Sequence, residues 1–199
     1  MFRLTIGIIL TSILFTSNTM ASTTEKQKYR LVSAEKKFEI RYYPEATLAS
    51  VYSKAKSYRQ MATPGFRKLA GFIFGGNQSN TKIAMTSPVH MDINDSVSSM
   101  SFVMPSKFEN KTLPSPNDPD VVIEKSKAEY VAVIKFGGYA SDAKLARYSE
   151  QLKSILDQKG ISYHGNFRYL GYNPPYQFIG RKNEIILSID WSENRTAEK

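Results

Sequence analysis

The sequence predicts an α+β protein made of two similar half-units, each a small antiparallel sheet with one helix across it. Two stretches have the apolar spacing of an amphipathic helix, and they start at Pro64 and Asp142, 78 residues apart. Each helix lies between a strand with Val or Ile and a strand rich in aromatic residues. Because this order occurs twice, we predict an internal duplication whose sheets join into a twisted or barrel-like whole with both helices outside.

The first half-unit contains the clearest strand pattern. In residues 38–43, Phe38, Ile40 and Tyr42 alternate with more polar neighbours, which is the two-residue period of a strand with one buried face. Further strands are predicted at residues 47–52, 82–91 and 100–104. The helix between them is predicted to begin at Thr63 as the cap, with Pro64 in its first turn, and to end at residues 75–76.

The second half-unit follows an irregular connector, residues 107–120, which contains three prolines. A second helix is predicted over residues 141–159, with an apolar stripe and Gly160 as its C-terminal stop. The predicted strands of this half are residues 121–124, 129–136, 167–172 and 184–189.

The N-terminus has the pattern of a signal peptide. Arg3 precedes a short apolar run that is too short for a stable transmembrane helix, and residues 19–21 place small side chains at the positions that a signal peptidase reads. We therefore expect cleavage after Ala21, a signal peptide over residues 1–21, and a single domain over residues 22–199 with its core at about 29–189. The expected location is the periplasm or the outside of the cell; an uncleaved anchor is the alternative.

Charge and cysteine content limit the function classes. The chain carries a net charge of +9 and no cysteine, so disulfides and thiolate metal sites are excluded. The basic residues are dispersed rather than gathered into one tract, which indicates a solvated surface with a preference for anions. We expect no nucleic acid partner. An anionic small molecule or an anionic membrane surface is the expected kind of partner, and no protein partner is identified.

Four segments resemble one known family. Residues 82–89, Lys-Ile-Ala-Met-Thr-Ser-Pro-Val, resemble the signature strand of the SOUL haem-binding protein family. Residues 38–43 resemble its opening strand, residues 102–107 its mid-chain strand and stop, and residues 171–176 its late loop. The resemblance implies a distorted antiparallel β-barrel flanked by two α-helices. It also implies a largely apolar groove for haem or a related tetrapyrrole, an amphipathic anionic ligand, and no enzymatic activity.

A tetrapyrrole site needs apolar walls for the ring and cations for its carboxylates. The first helix offers an apolar stripe beside adjacent cations, and the late loop offers two tyrosines around a diproline. The predicted groove and rim residues are Phe66, Arg67, Leu69, Ile73, Met85, Tyr172, Tyr176 and Arg181. The alternatives are that the helix residues simply pack on the sheet, that the loop is a structural turn, and that Arg181 and Lys182 are ordinary turn charges.

Haem iron would need an axial ligand, and without cysteine the histidines are the first candidates. His90 lies in an alternating strand and is the preferred candidate, whereas His164 lies in a turn. Met85 and Met91 are interpreted as core residues rather than as iron ligands. Each histidine is equally open to the interpretation of an ordinary polar residue, and the resemblance supplies no axial residue.

Other chemistry has no signature in this sequence. The chain has no HExxH segment and no G-x-S-x-G turn. The leading hypothesis is thus an exported, non-catalytic haem-binding or tetrapyrrole-binding protein. The rival is a module or sensor that docks on a protein or a membrane surface, which predicts an exposed apolar patch without a deep pocket. A hydrolase or haem-modifying activity, the third hypothesis, requires an acid–base pair with shifted pKa values in the cleft.

Overall fold

The computed structural model describes residues 24–108 and 112–192. The predicted signal peptide, residues 1–21, lies outside them. Within these two ranges no helix is both long and apolar enough to cross a bilayer. The helices are α1 (Tyr58–Ile73) and α2 (Asp142–Gln158), with a short 3-10 turn at Ser106–Phe108. The strands are β1 (Glu25–Lys26), β2 (Arg30–Ala34), β3 (Glu39–Tyr43), β4 (Thr47–Ser53), β5 (Thr86–Ser87), β6 (Val89–Asp92), β7 (Ser98–Val103), β8 (Val122–Lys125), β9 (Glu129–Gly137), β10 (Tyr163–Gly171) and β11 (Lys182–Ile189).

Nine of these strands form one antiparallel sheet, in the order β2-β3-β9-β11-β10-β6-β7-β4-β8. From β3 to β8 this order is symmetric about the β10–β6 pair: β10 corresponds to β6, β11 to β7, β9 to β4 and β3 to β8. The order supports the predicted duplication, and the α+β class is confirmed. The described pairs leave β2 and β8 at opposite ends of the order, so barrel closure stays a prediction.

Helix α1 starts earlier than the sequence analysis predicted. The prediction of a cap at Thr63 was wrong, because Ser57 is the cap: its Oγ accepts a hydrogen bond from the Gln60 backbone nitrogen. Pro64 lies inside the helix, on its exposed side, although a proline there removes one backbone hydrogen bond of the helix. The two helices therefore start 84 residues apart, and each is capped by a serine, Ser57 for α1 and Ser141 for α2.

Both helices pack on the same face of the sheet and enclose the main core. Leu69, Phe72 and Ile73 of α1 and Leu152 and Leu156 of α2 are fully buried there. They pack against strand side chains that point to this face at every second position. The apolar stripe of an amphipathic helix packs on such a face. This arrangement uses the apolar stripe of α1 for packing on the sheet.

The second face of the sheet carries no helix, yet its central residues are also buried. Val131, Val133, Leu170 and Ile186 form a small apolar cluster there. Next to it, Arg41 and Glu184 are both fully buried and form two hydrogen bonds of 2.9 and 3.0 Å. The prediction of a strand with a single buried face was therefore wrong at residues 38–43, because the Arg41 side is enclosed as well.

The Arg41–Glu184 ion pair keeps Glu184 charged. Burial tends to raise the pKa of Glu184, but hydrogen bonds and positive charge from Arg41 outweigh burial and hold that pKa below its usual value. Tyr172 donates a further hydrogen bond to Glu184 at 2.7 Å. Glu184 is therefore a stable anion, and its charge is neutralised inside the protein.

An N-terminal segment, residues 24–29, crosses the second face and is called the strap. Its β1 strand pairs in parallel with β5, and Gln27 donates from its backbone nitrogen to Ser87 at 2.8 Å. The Tyr29 ring lies 4.1 Å from the Arg41 guanidinium and 5.4 Å from the Tyr43 ring. The strap therefore covers the buried ion pair with an aromatic surface.

The strap also contacts His90, which lies on the same face in β6. The His90 Nε2 and Gln27 Oε1 atoms are 2.7 Å apart. Burial, together with the nearby positive charge of Arg168, lowers the pKa of His90 to about 3. His90 is therefore neutral in the folded protein at ordinary pH.

Removing Arg41 should destabilise the fold severely. Arg41→Met leaves Glu184 buried without its partner, and we expect the free energy of unfolding to fall by about 3–5 kcal/mol. Urea unfolding followed by circular dichroism measures this change. Lys135→Met is the matched control, because Lys135 pairs with Glu39 at the surface and its loss should cost less than about 1 kcal/mol. Equal effects of the two changes would refute the structural role of the buried pair.

Stability should fall as the pH drops below about 6.5, because of His90. The unfolded chain binds a proton near that pH, whereas the folded protein stays neutral down to about 3. By pH 5 the loss should reach about 1–2 kcal/mol. Urea unfolding at several pH values would show a flatter profile for His90→Gln than for the unchanged chain. His164→Gln is the control, since His164 is exposed; an unchanged slope in His90→Gln would contradict the assignment.

Candidate functional site

The predicted site residues of α1 separate into buried and exposed members. Leu69 and Ile73 are fully buried in the main core, so in this conformation they contact the sheet. Phe66 is partly buried and packs edge-on against Phe102, with ring centroids 5.4 Å apart. Arg67 is exposed. Of the three apolar residues predicted on this helix, Phe66, Leu69 and Ile73, only Phe66 is therefore partly exposed.

The position of Phe66 on α1 follows from the helix geometry. At about 100° per residue, Phe66 and Arg59 lie on one flank and Lys68 on the other. Lys68 pairs with Asp120, which precedes the edge strand β8. Phe66 and Arg59 therefore lie on the flank nearer the centre of the sheet. Among the described residues no hydrogen bond or ion pair engages the guanidinium of Arg59 or Arg67.

Met85 and the two histidines lie apart from this flank. Met85 is partly buried against the main core. His90 is held by Gln27 on the second face of the sheet, and His164 is exposed, with its Nδ1 3.4 Å from a carboxylate oxygen of Asp190. Ligation of an iron by His90 Nε2 would require the strap contact to break. The structure brings neither histidine next to the predicted tyrosines.

The remaining predicted residues, Tyr172, Tyr176 and Arg181, belong to the connection between β10 and β11. Arg181 stabilises this loop by hydrogen bonding: its Nη1 donates to the backbone oxygens of Pro174 and Gln177 at 2.7 and 2.8 Å. At the base, the Lys182 backbone nitrogen donates to Asn173 Oδ1 at 2.6 Å. Arg181 is thus chiefly a brace for the loop rather than a free rim cation.

A neighbouring turn between β9 and α2 adds Tyr139, which the sequence analysis did not select. The Arg181 guanidinium lies 4.4 Å from the centre of the Tyr139 ring, and Tyr139 donates its hydroxyl hydrogen to the Pro175 oxygen at 3.1 Å. Buried Asn183 joins the two turns from below, since its Nδ2 donates to the Gly138 oxygen at 2.7 Å. The two connections form one surface.

This surface reaches the start of α1. The Tyr58 ring lies edge-on to Tyr169 of β10 at 5.4 Å, and the Tyr58 backbone nitrogen donates to Asp142 Oδ1 at 2.5 Å. Burial raises the pKa of Tyr58, and the positive charge of Arg181 opposes that shift, as expected for groups at one site. We call the residues Tyr58, Arg59, Phe66, Tyr139, Tyr176, Phe178 and Arg181 the aromatic surface.

Two polar features of the aromatic surface matter for ligands. The Nε atom of Arg181 is buried and has no hydrogen-bond partner among the described residues. A buried donor without a partner is costly. The loop residues 171–183 contain two basic residues and no acidic one. The site therefore favours a flat, apolar ligand that carries negative charge.

Two cavities of the described part of the chain lie away from the aromatic surface. A small one of about 70 Å³ lies beside the strap and the β3–β4 turn. An open depression of about 690 Å³ is lined by Glu129, His164, Asp190 and Trp191, among others. Neither contains any of the eight predicted groove and rim residues. The described residues also contain no cluster of three or more His, Cys, Asp or Glu side chains suited to a metal ion.

The carboxylates with lowered pKa values do not form an acid–base pair at the aromatic surface. Glu129, like Glu184, is an ion-paired residue of the second face: burial tends to raise its pKa, but the bidentate contact with Arg168, at 2.6 and 2.7 Å, lowers it. Each of these groups has a permanent cationic partner, which is typical of a structural ion pair.

Comparison with known proteins identifies the family. The profile described as SOUL heme-binding protein matches residues 24–188. Mouse "Heme-binding protein 2" is 30% identical over 158 residues, which cover 75% of this chain and 77% of the relative. "Heme-binding protein 1" of Xenopus laevis is 29% identical over 180 residues, which cover 84% and 94%.

Among solved structures, the EcmrR C-terminal domain is similar with a TM-score of 0.61 and 8% identity, covering 78% of this chain and 98% of that domain. A protein titled as a hydrolase from Listeria innocua is similar with a TM-score of 0.55 and 9% identity, covering 79% and 94%. At such low identity these likenesses establish the fold alone. The sequence matches carry the assignment: the chain belongs to the SOUL heme-binding protein family.

Proposed function

We propose that this protein is an exported, non-catalytic binding protein for haem or a related tetrapyrrole. The observation that carries the proposal is the family match over residues 24–188, together with relatives that are named for heme binding. The ring is the cargo or cofactor, and the chain supplies its binding surface. The same family names support a binding role rather than a catalytic one.

The aromatic surface fits such a ligand in its chemistry. Tyr139, Tyr176 and Phe178 offer ring faces for stacking on a porphyrin. The unpaired guanidinium groups of Arg59 and Arg67 suit propionate carboxylates. In this proposal Phe66 is the innermost contact. Leu69 and Ile73, which were predicted as part of an apolar groove, support the ring from the core, and a deeper groove would require α1 to move.

Two tyrosines and one histidine are the candidate ligands of the iron. Tyr139 and Tyr176 are the exposed oxygen donors nearest to the proposed ring position, and tyrosinate is a known ligand of ferric haem. His90 would serve only after release from Gln27. The proposed binding relies mainly on stacking and on contacts with the propionates.

Hemin titration tests the binding site. The chain from Ser22, which keeps every residue that the structure describes, should show saturable one-to-one binding in the Soret band at micromolar affinity or tighter. Tyr176→Ala should weaken binding about tenfold by loss of one stacking or ligating ring. Arg67→Ala should weaken it severalfold by loss of one propionate contact.

Two matched controls separate specific effects from general ones. Tyr52→Ala removes another exposed tyrosine, on β4, and Lys68→Ala removes the neighbouring cation on the opposite flank of α1. Both should bind hemin as the unchanged chain does. Non-saturable binding, or equal losses in the controls and the site variants, would refute the proposed site.

Export is proposed from the N-terminal pattern. The full-length chain, expressed in a bacterial host with a general secretion pathway, should yield a periplasmic or secreted product that begins at Ser22 by N-terminal sequencing. Ala21→Arg places a large charged side chain at the cleavage position and should leave the precursor uncut. Recovery of the intact, uncleaved chain from the cytoplasm in both cases would contradict export.

A further inference from the structure

The connection between β10 and β11 ends in an exposed apolar tip. Tyr176 and Phe178 are each 76% exposed, and Ile179 is 88% exposed. Tyr139, half exposed, lies beside them with its ring centroid 6.4 Å from that of Phe178. Four large apolar or aromatic side chains therefore meet at one end of the sheet with little cover. We call Tyr139, Tyr176, Phe178 and Ile179 the loop tip.

The tip is held in place by its own loop. Pro174 and Pro175 stiffen the entry, and Arg181 fixes the Pro174 and Gln177 oxygens with its guanidinium. The Gln177 side chain donates to the Ile179 oxygen at 3.0 Å. Such a loop loses little conformational entropy when it docks on a partner. The loop's own hydrogen bonds therefore hold Phe178 and Ile179 in their exposed positions.

The corresponding turn of the other half-unit shows that the fold does not require this tip. By the symmetry of the strand order, the β10–β11 connection corresponds to the β6–β7 turn, residues 93–97. That turn is shorter and polar: Asn94 Oδ1 accepts hydrogen bonds from the Ser96 and Val97 backbone nitrogens. It exposes only one large apolar residue, Val97, and it carries Asp95. The apolar tip is specific to the second half.

Positive charge predominates around the tip, although two of its lysines are ion-paired. Residues 171–183 and 135–141 contain Lys135, Arg181 and Lys182 and no acidic residue. Lys144, one turn into α2, reaches back to the Tyr139 oxygen at 3.0 Å. Glu39 pairs with Lys135, and Glu184 pairs with both Arg41 and Lys182. Asp142 accepts a hydrogen bond from the Tyr58 backbone nitrogen. Arg181 and Lys144 donate hydrogen bonds only to backbone oxygens among the described residues, so their positive charge is not paired with an acid. The chain as a whole carries +9.

We propose that the loop tip inserts into the interface of an anionic lipid bilayer. Tyrosine prefers the headgroup region, phenylalanine and isoleucine prefer the acyl region below it, and surrounding cations attract acidic headgroups. A protein partner fits less well, because a specific interface needs about 800 Å² on each side and this tip consists of four side chains from two narrow connections. A bilayer accepts a protruding tip without matching its shape.

Vesicle co-sedimentation tests the proposal on the chain from Ser22, so that the N-terminal apolar run is absent. Vesicles containing about one third phosphatidylglycerol should bind the protein, and vesicles of phosphatidylcholine alone should bind it at least about tenfold more weakly. Replacing two apolar side chains in the Phe178→Ser/Ile179→Ser variant should lower binding to the anionic vesicles by at least about tenfold. Raising the salt concentration should weaken the remaining binding.

Val97→Ser is the matched control, because it removes an exposed apolar residue from the corresponding turn; it should bind vesicles as the unchanged chain does. Circular dichroism checks that all variants are folded. Absence of binding to anionic vesicles, or unchanged binding by the double variant, overturns the proposal. Hemin titration of the same proteins keeps the two ideas separate: vesicle binding that persists without hemin binding refutes only the tetrapyrrole function.

Discussion

The structure depends on one constraint: a single sheet whose two faces must both be shielded from water although helices cover only one. The helices shield the first face with a large apolar core. On the second face the shield is the strap, and the groups beneath it include the Arg41–Glu184 pair. Buried charges are tolerated only when paired, so this constraint explains why the second face is organised by ion pairs and why Tyr29 and Tyr172 contact them.

The same constraint bears on where we propose that a ligand binds. Since the stripe of α1 is used against the sheet, and the second face is occupied by the strap, the connections between elements are left to carry function. The β10–β11 loop and the β9–α2 turn meet the start of α1 and hold their aromatic side chains outside the core. In the two proposals, ligand binding and membrane contact would take place at neighbouring points of one end of the sheet, so a bound ring would lie close to the bilayer.

Much of the fold was accessible from sequence because local patterns encode it. Helix α2 has Ser141 as its cap and a regular stripe, and the prediction matched the structure closely. The start of α1 was missed although Ser57 and Gln60 form a capping-box spacing, because Thr63-Pro64 also resembles a helix start. The burial of Arg41 has no local signal, since its partner lies 143 residues away. Of the predicted loop tyrosines, Tyr176 lies on the aromatic surface and Tyr172 donates to buried Glu184. Tyr139 joins the aromatic surface only through tertiary packing.

The symmetric strand order has a consequence for how such a protein arose. The opening strand of the first half, β3, pairs with β9 of the second, and the opening strand of the second half, β8, pairs with β4 of the first. Each half-unit therefore completes its part of the sheet with a strand from the other half-unit. A chain of half this length could satisfy the same pairing only by exchanging strands with a second copy, so an ancestor of the fold is most simply described as a strand-swapped homodimer that gene fusion later made permanent.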